Sequence, residues 1–465
     1  MWSAYSCCFY RSDYVDKETK PVYDKYVSLE SKLGGPSKGV QIIMQERTIF
    51  SRDFIFVVIG QIISIFGNQI LRYAIPLYLL NQTGSSVLFG TIMAFSFVSM
   101  ILLFPIGGII ADRVNKRNIM VILDFCTAGL ILAFCILLEK IDIVPLVAGT
   151  MLILYGIQGA YQPAVKASVP VLVKTKHIMK ANSIVDMVNS VASMAGPIIG
   201  GLLFSVLGIV PILYVSIACF FVSAVMEIFI HIPFDKKKAV GNIFVVGYND
   251  IKESFNFIFR KRPVLWRISL VFTSSNLLLT SLIIIGLPVI ITQYLGFTPE
   301  VANQLYGYSQ GVIAFGAVIG GLLAGVLSSK LSSKISPILL IGCALCVLLP
   351  GIALHARIAQ IGAYIVLSIS SGLLLILHTL FQIQMMTYLQ LLTPKELIGK
   401  VISCFMCVVM CTSPLGQFIY GIVFEHIGGN IYLPFYVSAL LMIGISVATR
   451  STFYGMDNIV DEQGK

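Results

Sequence analysis

Charge is scarce in this chain. Asp, Glu, Lys and Arg make up 12% of its 465 residues, hydrophobic residues 57%, and the mean hydropathy is +0.90. A water-soluble globule of that composition would expose far too much apolar surface, so the bilayer is the expected solvent. Phosphate-binding chemistry is lacking as well: no Gly-rich cradle ends in Gly-Lys-Ser/Thr, which argues against direct use of ATP. No His-Glu-x-x-His run and no Cys/His cluster appears, so neither a metal nor any other cofactor is expected. No spacing of Ser, His and Asp recommends a hydrolase, and the chain reads as a non-enzyme. The ten cysteines stand singly or at helical spacing inside apolar stretches, as at Cys343 and Cys346 or Cys404, Cys407 and Cys411. That placement fits buried, reduced thiols better than a disulfide framework.

What is present is long apolar runs. A spanning helix needs about 20 mainly apolar residues, and twelve windows qualify: 54–80, 87–111, 118–138, 144–172, 179–205, 209–232, 265–295, 301–328, 336–356, 358–390, 396–425 and 430–453. Threaded with both termini inside, 28 of the 32 Lys and Arg fall on the cytoplasmic side, as the positive-inside bias requires. Lys140 and Arg357 fall outside, and Arg72 and Lys166 lie within helices. The net charge of +10 then reflects topology and attraction to anionic lipid, with no call for a nucleic-acid partner. Residues 1–50 read as a weakly structured cytoplasmic extension, with translation from Met44 as a second reading. Residues 233–264 read as a polar, basic linker with an interfacial helix, between six-helix halves at 51–232 and 265–453, and 454–465 as a cytoplasmic tail.

The chain repeats itself. Pro76 matches Pro288, and Gly107-Gly108-Ile-Ile-Ala111 matches Gly320-Gly321-Leu-Leu-Ala324. Gln162, Lys180, Gly196 and Gly201 answer Gln382, Lys400, Gly416 and Gly421 at one offset. Two similarly oriented six-helix pseudo-repeats follow, in an all-α integral membrane protein. After the second window stands Gly108-x-x-x-Asp112-Arg113-x-x-Lys116-Arg117. Further on come Gln162-Pro163-Ala164, Pro170 and Lys180-Ala181-Asn182, then Ala192-x-x-x-Gly196-Pro197-x-x-Gly200-Gly201. These runs resemble the major facilitator superfamily, and within it a drug-efflux or macrolide-exporter-like branch. Asn115 stands where the first motif usually has Gly, and Ala192 where the antiporter-associated motif usually has Gly.

The resemblance implies a rocking transporter whose inner gate uses Gly108, Asp112, Arg113, Lys116 and Arg117. Asp112 would be favoured by the positive N-terminus of the eleventh helix by about 0.3–1 kcal/mol. The second copy, with Gly325-Val326 in place of Asp-Arg, cannot repeat that latch. Helices one, four, seven and ten would line the cavity, and each carries a polar stripe: Gln61, Asn68 and Arg72; Tyr155, Gln158, Gln162 and Lys166; Thr273, Asn276 and Thr280; His378, Gln382 and Met385. Such groups are costly in a span unless they face protein or water, and a mixed aromatic, Met and amide lining suits an amphipathic molecule. Proton coupling requires a buried acid or His, for which Asp124, Asp186, Glu227 and His378 are candidates.

The expected activity is proton-driven antiport of a drug- or macrolide-like compound across the cell membrane by a monomer. Its partners are then membrane lipid, an amphipathic small molecule and protons. A metabolite or siderophore carrier of the same fold, and a transport-inactive receptor or scaffold, are the alternatives.

Overall fold

The computed structural model describes residues 52–173, 178–232, 263–327, 332–394 and 398–463. The expected extension at 1–50 and nearly all of the linker lie outside the described residues, as do the side chains of Asp112, Arg113 and Asp186. Among the described residues there are helices and no strands. The first half holds α1 (Arg52–Thr83), α2 (Ser86–Arg113), α3 (Lys116–Leu137), α4 (Ile143–Leu172), α5 (Ile178–Leu207) and α6 (Ile209–Ile228). The second holds α7, followed by α8 (Pro299–Val326), α9 (Ser336–His355), α10 (Gln360–Leu391), α11 (Ile398–His426) and α12 (Leu433–Gln463). The α7 span is composite: α-helix Pro263–Ser275, a π-turn at Asn276–Thr280, α-helix Ser281–Val289 and a second π-turn at Ile290–Tyr294. All twelve spans are long and apolar enough to cross a bilayer. Helix is the form they must take there, because lipid offers no partner to an unpaired N–H or C=O.

Below, the basal end is the one at which α1 begins and α12 finishes; the distal end is opposite. Four tight distal turns contain a glycine in the left-handed region, Gly84, Gly208, Gly296 and Gly428, with φ of +65, +75, +73 and +59°. Gly84 and Gly296 are separated by the same interval as Pro76 and Pro288, and Gly208 and Gly428 by the interval of Gly201 and Gly421. The repeat is therefore written into the turns, where only glycine adopts this backbone at no steric cost. Basally, Asn115 caps α3 by accepting from the Arg117 N–H at 3.1 Å, and its own Nδ2 donates to the Ile232 carbonyl at 3.3 Å. The residue that departs from the expected glycine thus ties the turn after α2 to the segment after α6.

Small residues set how the helices approach. A Cβ on Gly107 would meet Ala160 of α4 within 2.5 Å of its Cα, and one on Gly320 would meet the Ile376 carbonyl of α10 at 2.7 Å. The neighbouring Gly108 and Gly321 have open space. The two halves approach each other distally through two glycine crossings. On α5 and α8, a Cβ on Gly307 would lie 2.8 Å from the Pro197 carbonyl and 3.1 Å from the Gly201 Cα. On α2 and α11, a Cβ on Gly90 would lie 2.6 Å from the Gln417 carbonyl and 2.9 Å from the Gly421 Cα. Pro197 and Gln417, like Gly201 and Gly421, are repeat equivalents. Such backbone approach is how spanning helices gain van der Waals contact where no hydrophobic drive operates between them.

Residues 454–463, expected as a cytoplasmic tail, continue α12 as helix, since no helix breaker follows Phe453 except the single Gly455. One expectation changes. The described cysteines are free, but only Cys343 is fully buried, and Cys126, Cys407 and Cys411 are exposed on the apolar surface.

Gly90→Val and Gly307→Val should each force the distal crossings apart. The expected result is a large rise in labelling of a cysteine placed at Ser205 by a membrane-impermeant maleimide. Gly108→Val and Gly321→Val, which meet nothing, should leave that labelling at the parent level.

Candidate functional site

At mid-span, α1 and α4 build one polar cluster. The Arg72 Nη1 donates to Gln158 Oε1 at 2.6 Å, and the guanidinium lies 4.1 Å from the centroid of the Tyr155 ring. A cation over a desolvated aromatic face is stabilised by about 0.5–2 kcal/mol. That contact, with the amide, holds an intramembrane cation that has no acidic partner among the described residues. The opposite half presents a milder counterpart on α7 and α10. Gln382 Nε2 reaches Asn276 Oδ1 at 3.5 Å, and Asn276 Nδ2 donates to the Phe272 carbonyl at 3.0 Å. Asn276 opens the first π-turn, a widening of the helix that often accompanies functional sites. Asn68 Oδ1 and Thr273 Oγ1, on the same stripes, are buried atoms that bond to nothing in the protein.

Not every residue of the expected lining joins this site. Gln61 turns into the first half, where its Nε2 donates to the Tyr161 hydroxyl at 2.5 Å. His378 is buried against Ser275 at 3.1 Å, within the second half, and Met385 is fully buried in its core. Thr280 is also buried. Helical spacing put these four on the cavity stripes; neighbouring helices cover them, which periodicity along one helix does not report. Gln162 is half-buried on the stripe, and Lys166 is exposed one turn nearer the basal end.

The distal seal is polar as well as tight. Glu425, near the end of α11, accepts from the Ser85 hydroxyl at 3.1 Å, the Ser86 hydroxyl at 3.1 Å and the Val87 N–H at 3.2 Å. It thereby caps the N-terminus of α2 across the two halves, where a carboxylate meets unpaired N–H groups and the positive end of the helix dipole. The repeat equivalent of Glu425 is Ser205, which accepts from Gln304 Nε2 of α8 at 2.7 Å. Between them stands a buried hub on α8: the Asn303 carbonyl accepts from the Tyr73 hydroxyl, and Asn303 Oδ1 from Asn81 Nδ2 at 3.0 Å. Tyr73 also stacks on Tyr306, ring centroids 5.0 Å apart. Sequence reasoning missed Glu425, Tyr73, Asn303 and Tyr306. The signal was there for Glu425 alone, as an unpaired acid at the distal end of an apolar span.

The motif on α5 divides its work. Gly196 faces α1, where a Cβ would meet the Gln69 Cβ at 2.5 Å; Gly200 faces Tyr73 and Ile70; Gly201 faces α8. Ala192 is buried and Pro197 lies inside the helix with its carbonyl against Gly307. At the basal end, Lys116 and Arg117 are half-buried and Gly108 has no neighbour in its Cβ direction. Basal parts of the gate helices expose Leu102, Ile106 and Ile110 on α2, Met187 and Val191 on α5, and Leu322 and Val326 on α8. The roles expected of Asp112, Arg113 and Asp186 rest on side chains outside the described residues.

Of the acids expected to bind protons, two come together. Asp124 of α3 and Glu227 of α6 are both buried inside the first half, with Tyr161 donating to Glu227 Oε1 at 2.8 Å. Among the described residues, no group of three or more His, Cys, Asp or Glu is placed to hold a metal ion.

Twelve apolar spans, repeated six and six around a mid-span polar site, define a multi-pass membrane protein of a transporter fold. The sequence profile of the Major Facilitator Superfamily matches residues 57–416, and the chain belongs to that superfamily of transporters. It is similar to the uncharacterized MFS-type transporter YfiS of Bacillus subtilis, 24% identical over 406 residues, covering 84% of this chain and 90% of that one. Macrolide efflux protein A of Streptococcus pyogenes is 23% identical over 175 residues, 37% of this chain and 43% of that protein. Among solved structures, a bacterial homologue of the iron transporter ferroportin superposes with a TM-score of 0.67 at 15% identity, covering 86% of this chain and 99% of that one. The nucleoside transporter NupG gives a TM-score of 0.67 at 12% identity, covering 87% and 99%. These structural likenesses extend to the fold.

Glu425→Gln keeps the shape of the cap and removes its charge. It should weaken distal closure by about 0.3–1 kcal/mol, the usual range for an exposed charge at a helix end. Single-molecule fluorescence between distal positions on α2 and α11 should show the closed-to-open ratio falling about 2- to 5-fold, with the difference shrinking at high salt.

Proposed function

We propose that the protein is a secondary exporter which moves an amphipathic organic compound, drug- or macrolide-like, out across the cell membrane in exchange for protons. The observation that carries this reading is the mid-span site. Arg72 is held by Tyr155 and Gln158 on α1 and α4, Asn276 and Gln382 pair on the repeat-related α7 and α10, and a distal seal joins the two halves. An aromatic ring, a cation held without a carboxylate and several amide groups accept a molecule with both apolar and hydrogen-bonding surface. Asn68 Oδ1 and Thr273 Oγ1, buried on the same stripes, have no hydrogen-bond partner among the described residues, and a rearrangement that uncovers them would offer them to such a ligand.

Direction follows from charge. The basal end carries most of the Lys and Arg, so it is assigned to the cytoplasm together with both termini. With the distal seal closed, the site is then reached from inside, the state in which an exporter loads. Partial similarity to a macrolide efflux protein supports the same direction. Opening outward requires the glycine crossings and the Glu425 cap to part while the basal ends of the halves meet. There Asp112 has its role, opposite the N-terminus of α11 in the alternate state. Each chain contains a complete pathway, so the working unit is a monomer.

Purified protein in liposomes, given an outward-facing pH gradient and a fluorescent macrolide or lipophilic cation, tests the reading. Gradient-dependent movement from the basal to the distal side is expected. Arg72→Ala should weaken substrate binding by about 1–2 kcal/mol, roughly 5- to 30-fold, through loss of the cation–aromatic contact and its hydrogen bond. Asp112→Ala should slow turnover with little effect on binding. Ligand binding without any flux would overturn the transporter reading in favour of a receptor, and movement in the opposite direction would overturn export.

A further inference from the structure

The first half contains a polar site that the mid-span pathway does not use. Four helices contribute to it: α1 with Gly60, Gln61 and Ser64, α3 with Asp124, α4 with Tyr161 and α6 with Ser223 and Glu227. Glu227 is 0%, Gln61 1% and Asp124 3% exposed. A chain of hydrogen bonds runs from Gln61 Nε2 to the Tyr161 hydroxyl at 2.5 Å, and from that hydroxyl to Glu227 Oε1 at 2.8 Å. Ser223 lies between the Gly60 carbonyl, at 3.0 Å, and Asp124. Asp124 and Glu227 are near enough to repel each other electrostatically. Ser64 stands beside the Tyr161 hydroxyl.

The unusual feature is what the site is short of. Asp124 Oδ2, Glu227 Oε2 and Gln61 Oε1 are buried acceptor atoms with no hydrogen-bond partner. Among the described residues the titratable groups facing the site are the two carboxyls and Tyr161; α1 contributes only neutral groups, and no basic side chain bonds to either acid. Two carboxylates in such a medium do not both carry charge unless a cation joins them. Three unpartnered buried acceptors, two of them carboxyl oxygens, suit a proton, the smallest species that turns an acceptor into a donor.

We propose that the Asp124–Glu227 pair, with Tyr161 and Gln61, binds the proton that drives export, in a site separate from the substrate pathway. This rests on the exporter reading above. The pair lies near the basal end, with Asp124 about 12 Å into α3 and Glu227 in the last turn of α6. It connects to the substrate site through α1, whose Gln61 is about 16 Å of helix from Arg72. The bound proton leaves one carboxyl neutral and removes the repulsion between the two acids. Two charges are not tolerated in this packing, so release of the proton goes with a different position of α1 relative to α3 and α6, one that parts the acids or admits water. Binding and release thereby bias the same element that carries Arg72.

Two readouts test the proposal. The first needs no transport: infrared difference spectra of the purified protein, titrated with acid and base, should contain a protonated-carboxyl band that shifts in heavy water. The band should be lost in Asp124→Asn/Glu227→Gln, with Tyr161→Phe moving the pH at which it appears. A wild-type protein without such a titrating band, or a double variant that retains it, overturns the site. The second uses liposomes. Asp124→Asn and Glu227→Gln should abolish gradient-driven accumulation while substrate exchange without a gradient continues, which also shows that the variants are folded. Accumulation at the wild-type level in both variants overturns the role. If wild-type protein exchanges substrate but ignores the gradient, proton coupling falls and this assignment with it, while the transporter reading stands. If wild-type protein moves no substrate, the exporter reading fails and the infrared titration still decides whether the pair binds a proton.

Discussion

Backbone contact between glycines at the distal end is the constraint on which the rest of this structure depends. In a bilayer the lipid chains are as apolar as the helices, so the two halves gain nothing by hiding leucines from solvent. What holds them is close approach, which Gly90 and Gly421 permit on one side and Gly201 and Gly307 on the other. Once these crossings set the spacing, directional bonds follow. Glu425 reaches the start of α2, Gln304 reaches Ser205, and Tyr73 reaches Asn303 while stacking on Tyr306. The same constraint makes the seal reversible, because contacts made of backbone and a few polar bonds separate without exposing a large apolar core.

The two halves are repeats in geometry more than in chemistry. Gly196 against Gln69 and Gly416 against Ser281 occupy equivalent positions, as do the four turn glycines. The chemistry placed on that frame differs. The first half carries Arg72 on its ring of tyrosine and two buried acids in its interior, whereas the second carries amides and a His378 bonded to Ser275. The gates are distributed likewise. The Asp-Arg pair belongs to the first half at the basal end, and the carboxylate cap at the distal end belongs to the second. In the proposed cycle each half supplies the anion for one gate, Glu425 at the distal end as described and Asp112 at the basal end as proposed.

Legibility in the sequence followed the range of the interaction. The spans and the repeat were readable because composition and periodicity along the chain determine them; the bilayer enforces the helix wherever about 20 apolar residues run together. Arg72, Tyr155 and Gln158, named on the stripes of two helices, touch one another because those helices are neighbours. Gln61 and Met385 turn elsewhere, since helical spacing gives a direction around one axis and says nothing about which neighbour covers that direction. Asp124 and Glu227 could be named as candidates one by one. Their pairing was invisible, because 103 residues separate them and only the packing of α3 on α6 brings them together.

By itself, then, the sequence determined a twelve-helix membrane protein in two repeats, with its basic end and its polar stripes, because these depend on local hydropathy, charge and spacing. Only the tertiary structure decided that the halves meet at the distal end, that Glu425 is a cap and that two acids share one buried site. Those facts depend on which helix faces which, and that is settled by steric fit between distant glycines rather than by any pattern within a single span.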